Sequence, residues 1–363
     1  MPEFYIRGQQ YSLDQIQKLT RTDFCLQNIT NMPLSLYKYF PNVTSPDTGI
    51  NYSQEALINN TVYLQNPTLF DDPYDCTILA NEQEFALKRI TYYANRCGIN
   101  VQPEWNFYKI VYELSLYLYE GSKKGISLEE LFSFEPTSKQ LSELRLEKFI
   151  LNLGIGIVDT FKNFNDAWQR SFYKAIQSEY IDDVHNSLKN FRVSCFAESP
   201  YSTLMWSHYA NQHKGFCIEY EIPPYSKSNE LLFHSIYPVI YSDTRISTLE
   251  QHLDYLALPQ ITPDILWDIY KYGLLMKSMD WKYQNEWRLI LFDNTIPNNN
   301  CQFFKIKKVY LGNKMSKNER WKLIEICNRN GIPYTGVIIA QEKYEMIDCT
   351  QLCENCPNIV NNN

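Results

Sequence analysis

FRVSCFAESPYSTLMWSHYANQHKGFCIEYE, from Phe191 to Glu221, holds a strand, a helix and a second strand in close succession. Phe191-Arg-Val-Ser-Cys-Phe is rich in aromatic and β-branched residues and reads as a strand, stopped by Ser199-Pro200. Ser202 or Thr203 can cap a helix over Leu204 to Asn211, because a hydroxyl there accepts from an otherwise unpaired amide of the first turn. Gly215 is placed to end that helix, and it allows close backbone approach. Phe216-Cys-Ile-Glu-Tyr-Glu then alternates, with Phe216, Ile218 and Tyr220 on one face and Cys217, Glu219 and Glu221 on the other.

Toward the C-terminus, further strands are predicted over Tyr237 to Tyr241, Trp287 to Phe292, Phe303 to Leu311 and Tyr334 to Ile339. Helices are predicted near Ile261 to Met279 and Ser316 to Asn330. Toward the N-terminus, Tyr37 to Phe40 reads as a strand closed by Pro41. A turn-rich loop follows over Asn42 to Ser53, then a short helix over Glu55 to Asn59 and a strand over Thr61 to Gln65. Between these β-rich parts, residues 82–190 carry helical periodicity, with breaks at 98–103, 121–125 and 154–156. The pattern predicts an α+β protein: a split, mainly antiparallel sheet core over 1–81 and 191–345, an inserted helical lobe over 82–190, and a C-terminal tail over 346–363. No fixed-period repeat runs through the chain.

An apolar fraction of 44% and an aromatic share of 15% belong to a globular protein with a sizeable core. A net charge of −7 argues against a generally basic nucleic-acid binder. The first residues lack a basic segment followed by an apolar run, and no stretch of about 18 apolar residues occurs, so a cytoplasmic protein without membrane contact is expected. Ten cysteines scattered over such a chain read as reduced thiols. Cys349, Cys353 and Cys356 give three soft ligands where structural zinc wants four, which favours free thiols and no metal.

Three stretches can carry chemistry. Asn66 to Asp75 packs the carboxylates Asp71, Asp72 and Asp75 among turn residues; such carboxylates can bind a metal or a ribose hydroxyl, while Asp71 or Asp72 can simply bond nearby amides. Leu204 to Glu219 interrupts an apolar helix with Ser207, His208 and Tyr209. His208 and His213 are five apart, which turns their rings to different sides of a continuous helix and disfavours a two-histidine metal grip. Trp281-Lys-Tyr-Gln-Asn-Glu-Trp-Arg puts Glu286 before an apolar strand, where it either faces a cleft or pairs with Arg288 on the same strand face. Cys195 and Cys217, in apolar strands, read as small hydrophobes rather than nucleophiles.

Taken in order, Ser35-Leu-Tyr-Lys-Tyr-Phe, Leu69-Phe-Asp-Asp-Pro-Tyr-Asp, Val193-Ser-Cys-Phe-Ala-Glu, Leu204-Met-Trp-Ser-His-Tyr-Ala with His213-Lys-Gly-Phe-Cys-Ile-Glu-Tyr, Tyr283-Gln-Asn-Glu-Trp-Arg-Leu and Lys307-Lys-Val-Tyr-Leu-Gly resemble a bacterial family, domain of unknown function twenty-nine seventy-one, over about 34–345. That family in turn resembles the ADP-ribosyltransferase-like group. The resemblance implies NAD as substrate and cleavage of its nicotinamide–ribose bond, with a protein, a nucleic acid, a small molecule or water as acceptor. It further implies a setting of anti-phage defence or toxicity, with a partner protein. A non-catalytic module that binds a nucleotide or a phage component and signals to a partner is the alternative.

The same resemblance places Tyr37, Lys38 and Tyr39 at a first, cofactor-holding motif, where Lys38 departs from the usual His or Arg. Trp206, His208 and Tyr209 form the second, with an aromatic stacked on nicotinamide. Gln284, Glu286 and Arg288 form the third, and Asp72 is a further cofactor-binding candidate. Glu286 and Tyr209 are the expected catalytic pair, since a fixed carboxylate opposes the positive charge that develops on the ribose. On this reading Glu286 emerges at an open strand edge, and Glu286→Gln abolishes activity with little change in stability.

Overall fold

The computed structural model describes residues 2–77, 79, 82–125, 188–247, 267 and 271–349. It divides into two compact units, Met1–Thr77 with Leu188–Arg245 and Gly273–Asn363, and Ile78–Ser187 with Ile246–Tyr272.

The first unit is α+β. In chain order its strands are β1 (Phe4–Ile6), β2 (Gln9–Tyr11), β3 (Ser35–Phe40), β4 (Thr61–Tyr63), β5 (Phe191–Phe196), β6 (Phe216–Glu221) and β7 (Ile236–Pro238). They continue with β8 (Ile240–Tyr241), β9 (Met276–Lys277), β10 (Trp287–Phe292), β11 (Asn300–Gln302), β12 (Ile306–Leu311), β13 (Tyr334–Ile339) and β14 (Met346–Asp348). The largest sheet has the order β14-β13-β12-β6-β3 and is antiparallel except for β12 and β13. Those two run parallel because the helix Lys317–Arg329 returns the chain between them, capped by the reciprocal Ser316 and Glu319 bonds. A second sheet, β5-β10-β7, is antiparallel throughout. Paired bonds between Tyr37 and Ala197, 2.9 and 2.7 Å, tie edge strand β3 to the chain just past β5. Two further sheets of short strands, β2-β1-β8-β9 and β11-β4, belong to the unit.

Both faces of the large sheet are covered. Phe216, Ile218 and Tyr220 of β6 join Leu36, Val309, Leu311, Phe196 and Leu289 in the main core. Cys217 faces the other way, into a second cluster with Tyr39, Met205, Trp206 and Val337. Glu219, on that second face, is buried as well, so the alternation read in the sequence separates two interiors rather than an interior from solvent.

The helix after β5 spans Thr203–Tyr209, with the Ser202 hydroxyl accepting from the Met205 amide. Beyond it the chain turns through Asn211, Gln212 and His213, all at positive φ, before Gly215 enters β6. A Cβ on Gly215 would stand 2.0 Å from the Phe40 carbonyl oxygen, so only glycine lets the turn approach β3.

Three elements differ from expectation. The strand predicted over Tyr237 to Tyr241 breaks at Val239: β7 stays in the β10 sheet, while β8 crosses to the β1 sheet. The helix predicted to reach Met279 gives way to β9 at Met276, where the chain pairs in parallel with β8. The C-terminal tail begins later than predicted, because Met346–Asp348 forms β14 on β13.

The second unit contains the helices Glu82–Arg96 and Phe107–Lys123, which bury Phe85, Ala86, Ile90 and Ala94, and Ile110, Val111 and Leu114 respectively. Residues 126–187 of the predicted lobe lie outside the described residues. Segment 246–272, read from sequence as part of the core, groups with this unit.

Candidate functional site

Where the chain passes from β7 to β8, it meets the start of β10. The Val239 amide donates to the Glu286 carbonyl at 2.9 Å, and the Glu286 amide donates to the Tyr241 hydroxyl at 2.8 Å. Glu286 is therefore fixed at the junction of two sheets by its own backbone.

Its side chain is sealed, with 4% of the residue exposed. Oε1 accepts from Arg288 Nε at 2.7 Å, since residues i and i+2 of a strand share a face, and Oε2 accepts from Lys277 Nζ at 2.6 Å. Arg288, fully buried opposite Cys195 on β5, sends Nη2 to both oxygens of Asp75 at 2.7 and 2.9 Å. Its Nη1 donates to the Leu274 carbonyl at 2.6 Å and to Cys76 Sγ at 3.1 Å. Lys277, from β9, also reaches Asp75 at 3.0 Å and Gln284 Oε1 at 3.0 Å. Gln284 Nε2 donates in turn to the Tyr209 hydroxyl at 2.9 Å.

The result is a buried group of two carboxylates and two cations, with every N–H of Arg288 engaged and Lys277 donating to Glu286 and Gln284 beside its ion pair with Asp75. Burial alone would raise the Glu286 pKa, but Arg288 and Lys277 hold it well below the ordinary carboxylate range. Burial would likewise lower the Lys277 pKa, and Glu286 and Asp75 raise it instead. Cys195, beside this group, is pushed up to about 12 by desolvation, which rules against thiolate chemistry there.

At the surface the network ends in rings. Tyr209 is 39% exposed. The His208 ring lies 6.3 Å from Tyr209 and 6.1 Å from Trp281, and Trp281 lies 6.0 Å from Tyr283. Burial pushes the Tyr209 phenol up to about 12, so it keeps its proton at neutral pH.

The structure thus brings Tyr209, Gln284, Glu286 and Arg288 into one bonded network, from two stretches about 75 residues apart. The other candidates disperse. Alternation along β3 sends Lys38 to the face of Phe196 and away from Tyr37 and Tyr39, so these three do not line one site. The Lys38 ammonium donates to the Cys195 carbonyl at 3.1 Å and is pushed down by burial, while Glu286 raises it. Tyr39 is buried and donates to the Ser199 carbonyl at 2.8 Å.

Trp206 has no exposed surface to stack on a ligand. Its indole N–H goes to the Pro200 carbonyl at 2.7 Å, and its ring lies between Tyr39 and His213. Asp72 accepts from the Tyr74 amide at 2.9 Å in a local turn, and Asp75 is the carboxylate of that stretch that enters the network. Glu286 does not emerge at an open strand edge. It is a counter-charge to two buried cations, so its removal disturbs stability.

Sequence reading missed Lys277 and Tyr241, and it named Asp75 only as one of three turn carboxylates. It also missed a second buried carboxylate, Glu219, which accepts from Ser35 Oγ at 2.7 Å, Lys307 Nζ at 2.7 Å and Tyr310 at 2.8 Å. Burial would raise its pKa, yet these bonds bring it below the ordinary value. Tyr37 packs edge-on to Tyr310 in this second group, 6.1 Å between ring centres. Among the described residues, no group of three or more His, Cys, Asp or Glu side chains is placed to hold a metal ion. Cys353 and Cys356 lie outside the described residues. No described helix is long and apolar enough to cross a membrane.

No curated protein and no solved structure matches the chain. A family model does match, over residues 205–289, a span that runs from the helix before Tyr209 to the third residue of β10 and is narrower than the motif order suggested. Over those residues the chain is similar to the family described as "Protein of unknown function (DUF2971)".

Proposed function

We propose that the chain binds a small planar ligand of the nicotinamide or nucleotide class at the rim of His208, Tyr209 and Trp281, and that with Glu286 paired as it is the protein reads this ligand rather than cleaves it. The observation that carries the reading is the occupancy of Glu286. Both carboxylate oxygens are held by cations at 2.6 and 2.7 Å, inside a group whose charges cancel. A carboxylate so neutralised offers little to a developing oxocarbenium ion, whereas three adjacent ring faces over a rigid floor suit a flat ligand. The ligand-bound rim would then signal to a partner.

A second reading, cleavage of NAD at the nicotinamide–ribose bond by a transferase or glycohydrolase, is favoured by one feature. Gln284 and Glu286, two residues apart, sit behind Tyr209 in a single network. It requires Glu286 to exchange a cation for a ribose hydroxyl.

Titrating the purified chain with NAD, following tryptophan fluorescence and free nicotinamide together, separates the two. Saturable binding that is lost in Trp281→Ala, with NAD recovered intact, is the expected result. Steady release of nicotinamide would establish the second reading, and the absence of any fluorescence change or release would remove both.

A further inference from the structure

Resting on the reading of this rim as the ligand site, we infer that Tyr209 presents its phenolic proton outward as the hydrogen-bond donor of the site, to a neutral carbonyl oxygen carried on a planar ring. Lys277 is the positioning residue that fixes this polarity. An ammonium only donates, so the atom of Gln284 that lies 3.0 Å from Lys277 Nζ is the amide oxygen, whichever way the side chain would otherwise turn. The amide nitrogen then faces Tyr209 and donates to its hydroxyl oxygen at 2.9 Å. That contact uses a lone pair of the phenol and leaves its proton to be given elsewhere. Tyr209 is the exposed end of the chain of bonds, so the proton points to the rim.

The same count of donors selects the ligand group. Lys277 donates to Gln284 and Glu286 and pairs with Asp75 at 3.0 Å, and the five N–H groups of Arg288 are engaged by Glu286, Asp75, Leu274 and Cys76. Both cations are buried and turned to these partners, so neither is offered to a phosphate oxygen. The phenol is a neutral donor flanked by the His208 and Trp281 rings, which suits a ring-borne carbonyl such as a carboxamide.

Two measurements test this. With difluorotyrosine placed at position 209, its fluorine resonance reports the phenol's titration within a pH range the fold tolerates. Lys277 favours the phenolate and Glu286 and Cys195 oppose it, His208 is the titratable ring beside it, and Gln284→Leu keeps all four side chains. An amide N–H donor also favours the phenolate, so Gln284→Leu must raise the titration point. A fall, or no change, means the phenol donates to Gln284 or ignores it, and overturns the inference.

The second measurement is binding of nicotinamide and of ADP-ribose to the wild type and to Tyr209→Phe, which removes the hydroxyl that accepts from Gln284 and leaves the ion pairs of Asp75, Lys277, Glu286 and Arg288 in place. Nicotinamide affinity should fall about tenfold, the worth of one hydrogen bond, with ADP-ribose unaffected. Loss of ADP-ribose binding instead, or no loss of nicotinamide binding, overturns the choice of ligand group. If neither probe binds the wild type, the ligand-site reading fails, while the direction of the titration shift still decides the polarity.

Discussion

Lys277 and Arg288 face two carboxylates in a buried cluster, and the consequence at the scale of single residues is a steep dependence on each member. Lys277→Met leaves Asp75 and Glu286 opposed by Arg288 alone, a buried net negative charge. Breaking one partner of such a group costs about 3–5 kcal/mol. Urea unfolding should show a loss of that order; a loss under about 1 kcal/mol would mean that water reaches the cluster.

Half of this network was legible beforehand. The spacing of Glu286 and Arg288 on one strand face offered their pairing as an alternative to a catalytic role, and the structure makes that pair. Lys277 was not legible, because Gly273 to Met279 reads as the end of an apolar helix. The available signal was chemical: one lysine inside that run needs a buried counter-charge. Asp75 was hidden among three neighbouring carboxylates, and which of them turns inward is set by contacts with Arg288 more than 200 positions away.

At the scale of elements, β5, β6, β10 and β13 coincide with the strands read from the sequence, since each is six residues of aromatic and β-branched side chains bounded by turn formers. β1 and β2 were invisible. Three residues are too few to show alternation, and their connection at Arg7 and Gly8, both at positive φ, is a two-residue hairpin turn whose first position is not a typical turn residue. The split of β7 from β8 was equally hidden, because it depends on the Glu286 carbonyl capturing the Val239 amide. Gly215 reads in the sequence as a helix stop, but the helix ends at Tyr209 and Gly215 is instead a close backbone contact at the entry to β6. Gly215→Ala would drive a methyl group into the Phe40 carbonyl of β3, with Ala210 O only 3.0 Å away, so backbone must move on both sides. A loss on the order of 3 kcal/mol or more is expected in thermal or urea unfolding, and an unchanged midpoint would show that the turn can shift freely.

At the scale of the whole molecule, the first unit is assembled from three stretches of chain and the second from two. Sequence periodicity led to the expectation of an inserted lobe over 82–190, but it had no means of placing 246–272, because helical patterning does not say which unit an element packs on. Two of the first unit's sheets meet at Glu286, and this explains why one carboxylate concerns both stability and the floor beneath the rim. Glu286 is a counter-charge that holds Lys277, and through it Gln284 and Tyr209, in a defined polarity. The most direct measurement is the unfolding free energy of Glu286→Gln against wild type at neutral pH. Gln keeps the shape and removes the charge, leaving two buried cations to one carboxylate. The expected result is a destabilisation of about 3–5 kcal/mol. An unfolding free energy within about 0.5 kcal/mol of wild type, the usual size for a surface change, would contradict the counter-charge role and return Glu286 to that of an exposed reaction centre.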